Sequence, residues 1–176
     1  MPIRLFISLE PPVDVADQLK RLQYEDKHAR WMAPDQFHIT LAFLGEQPQD
    51  SLEHVCQAMS HIHFQPFEVS TENIGFFPQG AIWLGLNTSE PLTALHRHIR
   101  AQLRVAGIHL ERRRFTPHIT LGRCRQQPAK LARCVQSRLE TTDISTSFEV
   151  DRFYLKRSVL RPEGAAHFTE AEFLAD

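Results

Sequence analysis

The apolar run Ile3 to Leu9 reads as a strand, stopped by Glu10-Pro11-Pro12 because two prolines cannot extend a central ladder. Val13, Ala16, Leu19 and Leu22, with Gln23, form a stripe that predicts a helix over Asp14–Lys27. Trp31 and Met32 lead through Pro34-Asp35 into Phe37-His38-Ile39-Thr40-Leu41-Ala42-Phe43-Leu44, whose β-branched and aromatic content predicts a strand ending at Gly45-Glu46. Leu52, Val55, Cys56 and Met59 recur at helical spacing and predict a helix over Ser51–Ile62. Phe67–Ile74 and Ala81–Leu86 read as strands separated by the turn residues Phe77-Pro78-Gln79-Gly80. Leu92, Leu95, Ile99, Leu103 and Val105 then mark a helix that Gly107 ends. A polar, basic stretch leads to Phe115-Thr116-Pro117-His118-Ile119-Thr120-Leu121-Gly122. Leu131–Leu139 predicts a further helix, Ser147–Leu155 a strand, and His167–Phe173 a last strand.

The two His-Ile-Thr-Leu stretches make this pattern a repeat. Strand, Glu-Pro, helix and motif occur twice at nearly equal spacing, over about residues 3–46 and 81–123. Two copies are too few for a solenoid, so they are expected to pack on each other about an approximate two-fold axis. Strict alternation puts His38, Thr40 and Ala42 on one face, and Phe37, Ile39, Leu41 and Phe43 on the other. His118, Thr120 and Gly122 repeat the first set, Ile119 and Leu121 the second. A face offering imidazole, hydroxyl and a very small residue is a poor core face, because burying its polar groups is costly. It suits the floor of a polar cleft.

Composition narrows the chemistry. At 176 residues, with 42% hydrophobic residues and a formal charge of -1, the chain is ordinary for a globular protein and is not globally built for nucleic acid or membrane. Any anion site must be local. Cys56, Cys124 and Cys134 lack the spacing of a zinc site or a disulfide framework and read as free thiols. No signal-peptide core or membrane-length run is visible, which points to the cytoplasm.

Two histidines facing each other across a cleft suit an in-line displacement at phosphorus. Near neutral pH one imidazole takes a proton from the attacking water or hydroxyl while the other protonates the leaving oxygen. Thr40 and Thr120, on the same face, would hydrogen-bond the non-bridging phosphate oxygens. The scheme calls for no metal and no cofactor, and the sequence offers no carboxylate cluster to hold a metal.

The motifs, Phe37-His38-Ile39-Thr40-Leu41-Ala42-Phe43-Leu44-Gly45-Glu46 and Pro117-His118-Ile119-Thr120-Leu121-Gly122-Arg123, resemble the paired signatures of the 2H phosphoesterase superfamily. The likeness is closest to its bacterial RNA 2',3'-cyclic phosphodiesterases, also called 2'-5' RNA ligases. It extends over the opening Arg4-Leu5-Phe6-Ile7-Ser8-Leu9 strand and a closing Tyr154-Leu155-Lys156-Arg157-Ser158 segment followed by Gly164. The resemblance implies an α+β fold over 1–176 as a single domain of two intertwined lobes. Two antiparallel sheets, related by a pseudo-two-fold and flanked by helices, would line a central cleft. It also implies metal-independent hydrolysis of RNA 2',3'-cyclic phosphate ends to 2'-phosphomonoesters, with 2'-5' joining as the same displacement by another nucleophile. His38 then corresponds to the proton donor, His118 to the base, and Arg123 to a phosphate contact. The residues alone leave the direction of proton transfer open.

Strict alternation puts Arg123 on the face opposite His118, so a phosphate contact needs a bend near Gly122. Arg112-Arg113-Arg114, with Arg97, Arg100, Arg104 and Arg125, make the second repeat locally basic; a solvated face is the ordinary reading of the helix arginines. Trp31 is a candidate base platform at the cleft rim, and Phe76-Phe77 a weaker one. His61, His63, His96 and His98 read as surface histidines, the latter pair lying two apart on a helix and pointing away from each other. The competing readings are a catalytically idle RNA-binding module and a related enzyme acting on a small cyclic nucleotide or a 2'-5' oligonucleotide. The partner expected is an RNA end bearing a cyclic phosphate, gripped by a monomer.

Overall fold

A computed structural model describes residues 1–176. Its elements follow the predicted order. Strand β1 (Ile3–Leu9) leads to helix α1 (Val13–Lys20), β2 (Arg30–Trp31), a 3-10 turn at Pro34–Gln36, and β3 (Ile39–Gln47). Helix α2 (Ser51–Ser60), β4 (Phe67–Phe76), β5 (Ala81–Leu86), α3 (Glu90–Val105) and β6 (His118–Arg123) come next, then α4 (Pro128–Thr141), β7 (Ser147–Val150), β8 (Arg152–Arg161) and β9 (Gly164–Leu174).

The strands run in the order β7-β4-β5-β6-β3-β1-β8-β9, with β2 on β6, and every pairing is antiparallel. The path is continuous but has a waist. Where β3 meets β6 a single residue pair, Ile39 with Ile119, joins the halves. The expected two sheets are thus two halves, β7-β4-β5-β6 with β2 and β3-β1-β8-β9, hinged at the crossing of the two motifs. The chain changes sides more than once, so the N-terminal half holds β1 and β3 together with the C-terminal β8 and β9.

The helices pack on the apolar faces. Helix α3 lies on α2 and backs β3, while α4 backs β4 and β5. Leu92, Leu95, Ile99 and Leu103 are fully or almost fully buried, which accounts for the predicted stripe of α3 except its last member, Val105, which is 83% exposed at the helix end. The Ser89 side chain caps its start, and Gly107, at φ +80°, ends it as a residue without a Cβ can. One core joins both halves through Ile39 and Ile119, 1% and 0% exposed. Burying each contributes roughly 1.5–3 kcal/mol.

Two expected elements differ most. The helix predicted to reach Lys27 ends at Lys20, although Leu22 is fully buried. Beyond it the Gln23 amide donates to the carbonyls of Met32 and Leu121, so tertiary hydrogen bonds replace helical ones. The single strand predicted over Ser147–Leu155 is two. It breaks at Asp151, whose carbonyl accepts from Ala175 N–H; β7 then pairs with β4 and β8 with β1, in opposite halves. Periodicity carries no signal for a chain that changes sheet partner within one apolar run.

Candidate active site

The waist of the sheet is where the repeat meets itself. Ile39 and Ile119 are equivalent residues of the two motifs, paired antiparallel, so a local two-fold axis passes between them. Continuing that register by one residue sets His38 opposite Thr120 and Thr40 opposite His118. Both histidines are half-buried.

Each imidazole is anchored in the same way. His38 Nδ1 lies 2.8 Å from the Gln36 carbonyl oxygen, and His118 Nδ1 lies 2.7 Å from that of Thr116, each two residues upstream. A carbonyl only accepts, so Nδ1 carries the proton and donates it. Nε2 is left free to take or give a proton. Burial pulls His38 below the usual imidazole pKa of 6.5; the Gln36 carbonyl and the Glu10 carboxylate oppose this in part, and Lys156 and His118 add to it. Glu10 is itself held by Lys156, which is 8% exposed and also donates to Thr169 Oγ1 at 2.9 Å.

Surroundings differ between the two rings. His38 lies edge-on to His167, with centroids 5.1 Å apart, and 5.2 Å from the Phe6 ring, whereas His118 stands 5.3 Å from Phe77 and 5.6 Å from Trp83. Burial first, then His38 and Lys156, push the His167 pKa down to about 4, so this third imidazole is neutral at physiological pH.

Both motif strands carry a bulge at the same place, and it corrects the face assignment. Ser8 pairs with Thr40 and Ile7 with Ala42, which leaves Leu41 unmatched. Trp83 pairs with Thr120 and Ile82 with Gly122, which leaves Leu121 unmatched. One extra residue reverses the alternation beyond it. Ala42 and Gly122, expected on the cleft face, turn into the protein, Ala42 being 3% exposed and Gly122 lying against the Trp31 ring. Phe43, expected on the core face, emerges 50% exposed in the cleft. Arg123, its counterpart, emerges with it, so the bend that a phosphate contact requires is this bulge.

The cleft is a cavity of about 690 Å³. Its wall includes His38, Thr40, Thr120, Arg123 and Trp31, but not His118, which approaches from the Phe77 and Trp83 side. Trp31 is fixed by a 2.6 Å hydrogen bond from Nε1 to the Tyr24 carbonyl, so it forms a wall. The basic run Arg112-Arg113-Arg114 does not line the cavity: Arg113 pairs with Glu111, and Arg100 donates to the Glu111 carbonyl. His96 stacks flat on Phe115 at 3.8 Å, and His63 contacts Asp176, both structural uses.

Sequence reasoning missed Arg4, Arg30 and Arg161, which line the cavity with Arg123. Alternation in β1 held a signal for one of them, since Arg4 shares its face with Phe6 and Ser8, opposite the wholly aliphatic face of Leu5, Ile7 and Leu9. Arg30 and Arg161 carry no comparable signal, because a strand of two residues and a hairpin tip place them. Gln36 ties that hairpin to the first motif through a 3.1 Å hydrogen bond to the Ala165 carbonyl.

The model of the 2'-5' RNA ligase superfamily matches residues 11–160. The chain belongs to this superfamily. It is 30% identical to the RNA 2',3'-cyclic phosphodiesterase of Thermus thermophilus, over 97% of this chain and 89% of that one. It is 29% identical to the protein of the same description from Archaeoglobus fulgidus, over 92% and 94%. Among solved structures, E. coli LigT complexed with 3'-AMP superimposes with a TM-score of 0.80 over 99% of both chains at 22% identity, a likeness of fold. For this superfamily member, the paired motifs are thus embedded in a fold shared from end to end.

Proposed function

We propose that this chain hydrolyses 2',3'-cyclic phosphate ends of RNA to 2'-phosphomonoesters. The observation that carries the reading is the crossing of two His-Ile-Thr-Leu strands at one pair, with both Nδ1 atoms committed to backbone carbonyls and both Nε2 atoms left for chemistry. The relatives bearing the RNA 2',3'-cyclic phosphodiesterase description support the same reaction.

On this reading His118 Nε2 removes a proton from water as the water oxygen bonds to phosphorus. The bond from phosphorus to the 3' oxygen breaks on the opposite side, and His38 Nε2–H gives that oxygen its proton. The product carries a 2'-phosphate and a free 3' hydroxyl, and solvent restores both imidazoles. Thr40 and Thr120 donate to the non-bridging oxygens, and Arg123 offsets their charge. Burial is what depresses the His38 pKa. A bound phosphate anion favours the imidazolium, so substrate itself loads the acid. The donors are side chains, and the scheme routes no step through a metal. An oligonucleotide hydroxyl in place of water gives the 2'-5' joining reaction.

Both halves of the site come from one chain, and a monomer suffices. No helix is long and apolar enough to cross a membrane, and the three free cysteines suit a reducing compartment, which we take to be the cytoplasm.

The test is a short RNA ending in a 2',3'-cyclic phosphate, incubated with the protein in EDTA, with the product isomer identified. Conversion to the 2'-phosphate is expected. Tight binding without turnover would point instead to an idle RNA-binding module, and turnover confined to mononucleotides to a small-molecule enzyme.

A further inference from the structure

Two of the cavity arginines are held over aromatic rings. Arg4 Cζ lies 4.9 Å from the centroid of Phe43, and Arg161 Cζ lies 5.8 Å from that of Phe168. Neither guanidinium has a carboxylate or carbonyl partner. Arg4 has one within reach of its strand, since Glu46 is its cross-strand neighbour on β3, yet the two form no ion pair. Arg4 leans over Phe43 instead. A stacked guanidinium keeps its in-plane N–H edges free and is fixed in advance, an arrangement suited to a phosphate. Arg4 also lies beyond the reacting centre. It is two residues along β1 from Phe6, about 7 Å at the rise of a strand, and Phe6 is the residue whose ring meets His38.

We propose that Arg4, carried on Phe43 and joined by Arg161, is a second anion subsite that grips the phosphodiester linking the cyclic-phosphate nucleotide to the one before it. The inference rests on the reaction proposed above and narrows its substrate to oligoribonucleotide ends. A mononucleoside cyclic phosphate has no anion to place there.

The experiment compares kcat/KM for a mononucleoside 2',3'-cyclic phosphate and for a short oligoribonucleotide with the same terminal nucleotide. The wild-type protein should favour the oligonucleotide by about tenfold or more, the worth of one charge-assisted hydrogen bond. Arg4→Ala should cost the oligonucleotide about tenfold more than the mononucleotide. It should also lower the slope of log kcat/KM against log salt by about 0.7, the change expected when a single strand has one fewer phosphate neutralised by a guanidinium. Arg133→Ala, removing an exposed guanidinium on α4 away from the cavity, should leave the preference and the slope unchanged. Absence of a length preference in the wild type, or equal losses on both substrates in Arg4→Ala, overturns the subsite while leaving the hydrolysis in place. Should the wild type hydrolyse neither substrate, the reaction itself fails. The subsite is then judged by binding of the 2'-phosphorylated oligonucleotide and mononucleotide: a length-dependent affinity that disappears in Arg4→Ala supports it, and equal affinities overturn it.

Discussion

Strands β3 and β6 carry the same four letters, the same anchor on each histidine and the same bulge at the leucine, yet they meet the cleft differently. After the bulge the first strand presents Phe43 and the second Arg123. Opposite the threonine the first has Ser8, the second Trp83. One residue earlier in space, Ala42 fits where Gly122 is required, because Trp31 lies on the second strand alone. On the mechanism proposed above, the shared positions would supply what a displacement at phosphorus needs twice, a proton carrier and a hydroxyl, and the unshared positions what it needs once, a polarity. A symmetric pair of histidines would serve a phosphodiester in either direction, and we propose that the guanidinium on one side with an aromatic ring on the other breaks the tie.

The largest effect expected from breaking this arrangement comes from the shared residues. His38→Ala and His118→Ala should each lower turnover by about 10²–10⁴-fold, measured with circular dichroism showing the fold intact. Near wild-type turnover in either variant would remove the paired mechanism. Arg123→Ala should cost roughly 1.5–3 kcal/mol of transition-state stabilisation through the missing charge-assisted hydrogen bond. Phe43→Ala, at the equivalent position, should leave hydrolysis of a mononucleoside cyclic phosphate less affected, and equal losses would make the two sides interchangeable.

Gly122→Ala tests the asymmetry through stability. A methyl there would sit 2.6 Å from Trp31 Cε3 and 2.9 Å from the Arg30 carbonyl oxygen, so β2 must move. Chemical denaturation should show a loss of about 1–3 kcal/mol, against about 0.5–1 kcal/mol for Ala42→Gly. The last effect is that of pH on stability. His96 and His167 both sit at about 4 in the folded protein, pulled down first by burial. The unfolded chain therefore binds protons first as pH falls. Their contribution is complete above pH 6.5 and is lost progressively toward pH 4. Melting temperatures across that range should decline less steeply in His96→Asn, and an unchanged decline would contradict the burial argument.

Much of this was legible in the letters. The repeat, both histidines, both threonines and the bounds of β1 and β5 follow from alternation and punctuation, which are local properties. The bulges were not, because Leu41-Ala42 reads as ordinary alternation and only the partner strand reveals that one residue is unmatched. That single omission misplaced Ala42, Phe43 and Gly122 and put Arg123 in doubt. Arg30 and Arg161 were invisible for another reason: the short pairing of β2 on β6 and the Gln36–Ala165 hydrogen bond at the β8–β9 hairpin bring their segments to the cleft from afar. The waist at Ile39 and Ile119 was implied by the repeat but not its register.

The central claim is that a near-symmetric pair works in one direction. A cyclic substrate with sulfur in place of the 3' oxygen tests it most directly, because a thiolate leaves without a proton donor. On that substrate His38→Ala should recover most of the wild-type rate while His118→Ala stays inactive. Recovery in His118→Ala, with His38→Ala inactive, would reverse the roles and contradict the account.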